Sequence, residues 1–233
     1  MTTSDTGSDR PTPSTVDTSP ERSEFSDLVQ AVARTPSALA LKRRGDTFDG
    51  GRYRVERRLG EGGQKTVFLV HDTILRRDCA LSLVDPEQVE DDGLRRFHLE
   101  AQTLARMGAH PNIVTIYDVG EEHGAPYVLC EYVDGGDLRA AIKAEAPLPV
   151  GRALGIARDV CRALACAHAR GVVHRDVTPG NIFLLANGQA AIGDFGIGLQ
   201  VRGRMKTVDD FGTPGYVSPE QAYGRPTYRS DCF

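Results

Sequence analysis

The chain has 233 residues, 40% of them hydrophobic, which suits one ordinary domain with a tail. A formal charge of −4, from 28 basic and 32 acidic residues, offers no basic surface for nucleic acid or anionic membrane. There is no apolar run of membrane-spanning length and no apolar leader, so a soluble, cytoplasmic protein is expected; five scattered cysteines without a C-x-x-C pair argue against a zinc site or a disulfide framework.

Residues 1–23 are rich in Ser, Thr, Pro, Asp and Gly, with Val16 the only large aliphatic side chain after Met1. Such a segment cannot bury enough surface to offset its ordering entropy. Phe25, Leu28, Val29 and Val32 follow the spacing of one short amphipathic helix, closed by Thr35-Pro36. Residues 1–45 are therefore expected as a disordered tail with a short helix near 25–33, and folded structure is expected from about Tyr53. From there Tyr53, Val55 and Leu59, then Val67 and Leu69, then Ala80 to Val84 read as short strands. Residues 92–107 carry Leu94, Phe97, Ala101, Leu104 and Ala105 at helical spacing. Ile113 to Val119 and Tyr127 to Val133 read as two further strands. A long helix is predicted from Val150 to Arg170, with Leu154, Ala157, Val160, Ala163, Leu164 and Ala167 on one face and Gly171 as its left-handed cap. Strands first and helices second imply an α+β protein with a cleft between two lobes.

Four segments carry chemistry. The run Leu59-Gly60-Glu61-Gly62-Gly63-Gln64-Lys65-Thr66-Val67-Phe68 is a glycine-rich turn between strands, where backbone N–H groups can approach phosphate oxygens. Taken singly it reads equally well as a plain β-turn. It does not fit a P-loop, which needs glycine where Leu59 and Gln64 stand and a helix where residues 67–70 read as strand. Then come His174-Arg175-Asp176-Val177-Thr178-Pro179-Gly180-Asn181, Asp194-Phe195-Gly196, and Gly212-Thr213-Pro214-Gly215-Tyr216-Val217-Ser218-Pro219-Glu220.

This ordered set resembles the eukaryotic-type Ser/Thr protein kinases, bacterial members included, over Tyr53 to Phe233. The resemblance implies a bilobal α+β fold with a β-rich N-lobe and a helical C-lobe. It also implies ATP and Mg²⁺ as cofactors and a protein substrate as partner. By the same resemblance Asp176 is the catalytic-loop base, Asn181 and Asp194 are the metal ligands, and Glu100 is the helix carboxylate that pairs with the ATP-anchoring lysine. Leu59, Gly60, Gly62, Val67, Ala80 and Phe183 match the nucleotide-covering positions. Glu131 and Val133 match the hinge, Cys130 the gatekeeper and Asp137 the ribose contact. The residues Ser230-Asp231-Cys232-Phe233 match the start of the helix whose aspartate holds the catalytic loop. The pattern stops there, so the domain, 53–233, is expected to be truncated with an incomplete C-lobe. Thr207 matches the spacing of an autophosphorylated threonine, although Asp209 and Asp210 offer standing negative charge in its place.

Two departures bear on activity. The strand motif V-A-I-K reads Cys79-Ala80-Leu81-Ser82, and a serine is too short and uncharged to replace the lysine. The chain has only four lysines, Lys42, Lys65, Lys143 and Lys206. Lys65 stands where the third loop glycine belongs. Side chains alternate across a strand, so Lys65 should face the same side as Val67, one pleat nearer the phosphates. This segment is similar to the loop of the with-no-lysine kinases, in which the anchoring lysine has moved to that position. Thr178 also replaces the usual catalytic-loop lysine, which predicts slower transfer. The leading expectation is an ATP-dependent Ser/Thr kinase using Asp176 and a relocated Lys65. The alternative is a pseudokinase or regulatory nucleotide-binding module, with Lys65 an exposed loop cation.

Overall fold

Period-two burial organises the first half of the chain. The computed structural model describes residues 42–61, 65–85, 93–105, 108–195, 213 and 215–233. Its first sheet has six antiparallel strands: β1 (Thr47–Phe48), β2 (Tyr53–Glu61), β3 (Lys65–Asp72), β4 (Arg77–Val84), β5 (Ile116–Glu122) and β6 (Ala125–Glu131), in the order β1-β2-β3-β4-β6-β5. On β3 the side chains of Thr66, Phe68, Val70 and Asp72 are buried, while Lys65, Val67, Leu69 and His71 lie half-buried on the other face. The buried face closes a core of Phe48, Tyr53, Val55, Phe68, Val70, Leu81, Tyr127 and Leu129.

Two expectations shift here. Folded chain begins before Tyr53: Phe48 is fully buried, with its ring 5.8 Å from Phe68 and 6.3 Å from Tyr127, and Gly45 donates to Val55 O at 2.9 Å. An aromatic side chain filling the end of the sheet gives this short segment enough apolar contact to order it. The β5–β6 hairpin also extends past Val119, turning at His123 and Gly124, both at positive φ (49° and 83°). Two consecutive positive φ values match the right-handed twist of a tight hairpin.

Helix α1 (Gly93–Ala105) buries Phe97, Ala101 and Leu104 against β5 and β6. Beyond the sheet come α2 (Leu138–Glu145), α3 (Val150–His168), a two-stranded antiparallel ribbon of β7 (Ile182–Leu184) and β8 (Ala190–Ile192), and a short α4 (Pro219–Ala222). Helix α3 ends at His168, two residues earlier than predicted, and Gly171 follows at φ 79°. Its buried face is Ile156, Asp159, Val160, Ala163, Leu164 and Ala167; Leu154 and Ala157, expected inside, are exposed. A second core links the two halves, running from Val84, Phe97 and Val128 through Ile113, Ile192 and Phe195 to Val160 and Leu164. No helix among the described residues is long and apolar enough to cross a membrane. The tail 1–41, with its expected helix near 25–33, lies outside the described residues.

A buried ionic turn ties β3 to β4. Asp72 is fully buried; its Oδ1 accepts from the N–H groups of Ile74 and Leu75, both at 3.0 Å, and its Oδ2 accepts from Arg52 at 3.3 Å. Burial pushes the carboxyl up, but the Leu75 N–H, Arg52 and the Ile74 N–H together hold it below its ordinary value. A carboxyl depressed in the fold contributes stability that is complete above its unfolded value, about 3.9, and is lost as pH falls through the lower folded value. Asp72→Asn should therefore lower the urea midpoint clearly at pH 7, and the gap from the unmodified protein should narrow below about pH 4. An equal gap at pH 7 and pH 3 would contradict this account of the turn.

Candidate active site

Where the sheet meets the helical half, a cavity of about 420 Å³ opens, a volume suited to a small-molecule ligand. It is lined by Leu59, Gly60, Val67 and Ala80 above and by Glu131, Val133, Asp137, Phe183 and Asp194 at its edge and floor, nine of the residues singled out from sequence. Two bulges in β2 bring the upper lining into place. Val55 pairs with Val70 on the core face, but the register shifts after Val55 and again after Arg58, so Arg57 pairs with Leu69 and Gly60 with Val67 on the cavity face. Val133 lies between strands at the cavity edge, and its backbone groups make no hydrogen bond among the described residues. Asp137 does double duty, its Oδ1 capping α2 by accepting from Ala140 N at 2.7 Å.

Below the cavity the loop 174–181 is held by one buried carboxylate. Asp231 accepts from the N–H of His174 and of Arg175, each at 2.8 Å, and from His168 Nε2 at 2.7 Å. Arg175 has a left-handed backbone, φ 70°, and is clamped from both sides, since its carbonyl accepts from Gln221 Nε2 at 2.6 Å. His174 is fully buried. Its Nδ1 accepts from Asp176 N–H at 3.2 Å, so its Nε2 carries the proton and donates to Gly193 O at 2.9 Å. Burial lowers its pKa, and this neutral form satisfies both ring nitrogens. His174 thus joins the 174–181 loop to the strand leading into Asp194, with its ring 4.5 Å from that of the buried Phe195.

These clamps present Asp176 and Asn181 together. The Asn181 amide donates to Asp176 O at 2.8 Å and Asp176 Oδ2 at 2.7 Å. With its nitrogen so engaged, the Asn181 Oδ1 is the atom left to face a ligand. The other Asp176 oxygen accepts from Thr213 N at 3.1 Å and Thr213 Oγ1 at 2.8 Å. Sequence reading did not foresee the Thr213 contact; its signal was the position of Thr213 in the segment that also carries Ser218-Pro219-Glu220.

Lys65 and Asp194 meet across the cleft, Nζ to Oδ2 at 2.8 Å, with side chains 35% and 29% exposed. Asp194 is itself left-handed, φ 57°. Burial raises its pKa, while the charge of Lys65 and its hydrogen bond outweigh that and hold the carboxyl below its ordinary value. Ser82 lines the same space, paired with Val67, while Lys65 pairs with Val84 one step further on. Cys130 closes the back, its thiol pushed up to about 12, first by burial. Glu100 lies on α1, but its side chain, like Gly62 and Thr207, is outside the described residues, so its pairing with Lys65 is not seen.

Comparison with known proteins gives a consistent result. Residues 53–232 match the protein kinase domain family. The serine/threonine-protein kinase PrkC of Bacillus subtilis is 39% identical over 187 residues, covering 78% of this chain and 29% of PrkC. PknB of Mycobacterium tuberculosis is 38% identical over 192 residues, covering 78% and 30%. The chain thus spans about 30% of the length of these curated relatives. Among solved structures, the PknI kinase domain of M. tuberculosis superposes with a TM-score of 0.67 at 34% identity, covering 82% of this chain and 70% of that one.

If Asp231 holds the 174–181 loop, Asp231→Asn turns an amide N–H₂ toward donors that need an acceptor. The thermal midpoint should fall by about 4 °C or more, and amide exchange at His174 and Arg175 should accelerate selectively. Unchanged protection of both amides would contradict the clamp.

Proposed function

This chain belongs to the protein kinase domain family, and we propose that it transfers the γ-phosphoryl group of ATP to Ser or Thr hydroxyls of a protein substrate, with Lys65 as the relocated phosphate anchor. The observation that carries this reading is the 2.8 Å contact of Lys65 Nζ with Asp194. It brings a cation from β3 to Asp194, into space that Ser82 also borders, and so supports a phosphate-anchoring role.

The cavity suits the nucleotide. Leu59, Val67, Ala80 and Phe183 supply apolar surface for a flat base, and the Val133 backbone supplies hydrogen-bonding groups at its edge. Asn181 Oδ1 and the Asp194 carboxylate are hard oxygen donors fit to hold Mg²⁺, which when bound offsets phosphate charge. Phosphoryl transfer relies on positioning and charge neutralisation, and the chain's residues divide that work. Lys65 holds phosphate oxygens from above as a point charge. Asp176, aimed by Asn181 and Thr213, retains one lone pair, on Oδ2, to orient the substrate hydroxyl and accept its proton. Thr178 is buried and uncharged where the family places a lysine, so one transition-state cation is missing and turnover should be slow.

Lys65→Met should lower kcat/KM by about a hundredfold or more, since each 1.36 kcal/mol is tenfold in rate, and Ser82→Ala should change it little. Lys65→Gly combined with Ser82→Lys should recover part of the loss, because position 82 opens into the same space. Unaltered phosphoryl transfer in Lys65→Met would remove the anchor. Absence of transfer by the unmodified protein, with nucleotide still bound, would support the pseudokinase reading.

A further inference from the structure

Arg139, one residue into α2, reaches back over the 174–181 loop. A Cβ built on Gly180 would lie 2.7 Å from a guanidinium nitrogen of Arg139 and 2.9 Å from its central carbon. Gly180 is not among the glycines at positive φ, so its backbone makes no demand for glycine. What the missing side chain leaves room for is the end of the Arg139 side chain, beside the loop between Thr178 and Asn181. Asn181 in turn holds the Asp176 carboxylate at 2.7 Å.

Arg139 is exposed and makes no ion pair among the described residues. Its neighbours three and four positions away offer none either: Gly135 and Gly136 precede α2, and Ile142 and Lys143 lie one turn on. Lys143 is a like charge at i+4, which is mildly unfavourable to an isolated helix. In a chain of net charge −4, two cations lie on one face of α2 beside the catalytic loop.

We propose, resting on the kinase reading above, that Arg139 is a specificity-determining residue that binds an acidic side chain of the protein substrate close to the acceptor hydroxyl. A hydroxyl delivered to Asp176 brings its flanking residues across the exposed rim of the loop. Two or three residues of extended peptide span roughly 7–11 Å. A planar guanidinium on this rim suits a carboxylate, since its fork matches two oxygens.

The test measures peptide binding without turnover. Fluorescent serine peptides, alike except for one Glu or one Arg two or three residues before or after the serine, are titrated with the full chain in the presence of Mg²⁺ and a non-hydrolysable ATP analogue. At one position the Glu peptide should bind about fivefold or more tighter than the Arg peptide. Arg139→Glu should reverse that order with the affinity for the analogue unchanged. Arg139→Lys should keep part of the preference, and Gly180→Glu, which sets a carboxylate against Arg139, should cancel it. Equal binding of both peptides at every position, or a preference that survives Arg139→Glu, would overturn the proposal. So would weaker analogue binding with no change in peptide order, which would assign Arg139 to the nucleotide. Failure of the kinase reading looks different: intact peptide discrimination with no phosphoryl transfer to either peptide.

Discussion

The pleat of β3 is the constraint on which the site depends. Phe68 and Val70 must enter the core, so Lys65 and Val67 must face the cavity, because successive side chains point to opposite faces. A cation on that strand, two residues before Val67, is thereby committed to the cleft. There it meets Asp194 at 2.8 Å. Both partners are about a third exposed, so the pair adds little to stability, on the order of 1 kcal/mol or less. Its importance is positional: it favours the ionised form of Asp194 and keeps a positive charge on the cavity side of β3, as the proposed phosphate anchor requires.

The opposite wall is organised by a single buried acceptor. Asp231 takes two loop N–H groups and one imidazole, and those bonds fix the left-handed Arg175 and the neutral His174. Through Gly193, His174 couples that loop to the strand that ends in Asp194. The Asp176–Asn181 pair is thus held from the helical half, while in the Lys65–Asp194 pair the strand alternation places the cation and the His174-linked segment places the carboxylate.

Much of this arrangement is legible in the sequence because it follows from short spacing rules. The alternation of residues 65–72 gives the facing of Lys65, and the ordered motifs give Asp176, Asn181, Asp194 and Asp231. Leu59, Val67, Ala80, Glu131, Val133, Asp137 and Phe183 do converge on one cavity. What escapes is what depends on irregular backbone or distant contact. Unbroken alternation would put Tyr53, Val55 and Leu59 on one face of β2; the bulge after Val55 sends Leu59 to the cavity. Phe48 looks like part of a polar lead-in until tertiary packing buries it. Thr213 reaches Asp176 across 37 positions, and Arg139 reaches Gly180 across 41, separations that local pattern does not encode. On α3 the apolar set was read one turn too far, since Leu154 is exposed while Asp159, a charged residue, is buried and accepts from Ala190 N at 3.2 Å.

Everything distinctive in this account turns on Lys65 holding phosphate, and nucleotide binding isolates that role from catalysis. Calorimetric titration of the unmodified protein and of Lys65→Met with ATP and with adenosine, in the presence of Mg²⁺, compares ligands that share the base and ribose and differ in the phosphates. The account predicts that Lys65→Met weakens ATP by about tenfold or more, the worth of one charge-assisted contact, and leaves adenosine unchanged. Equal ATP affinity in the two proteins would contradict it.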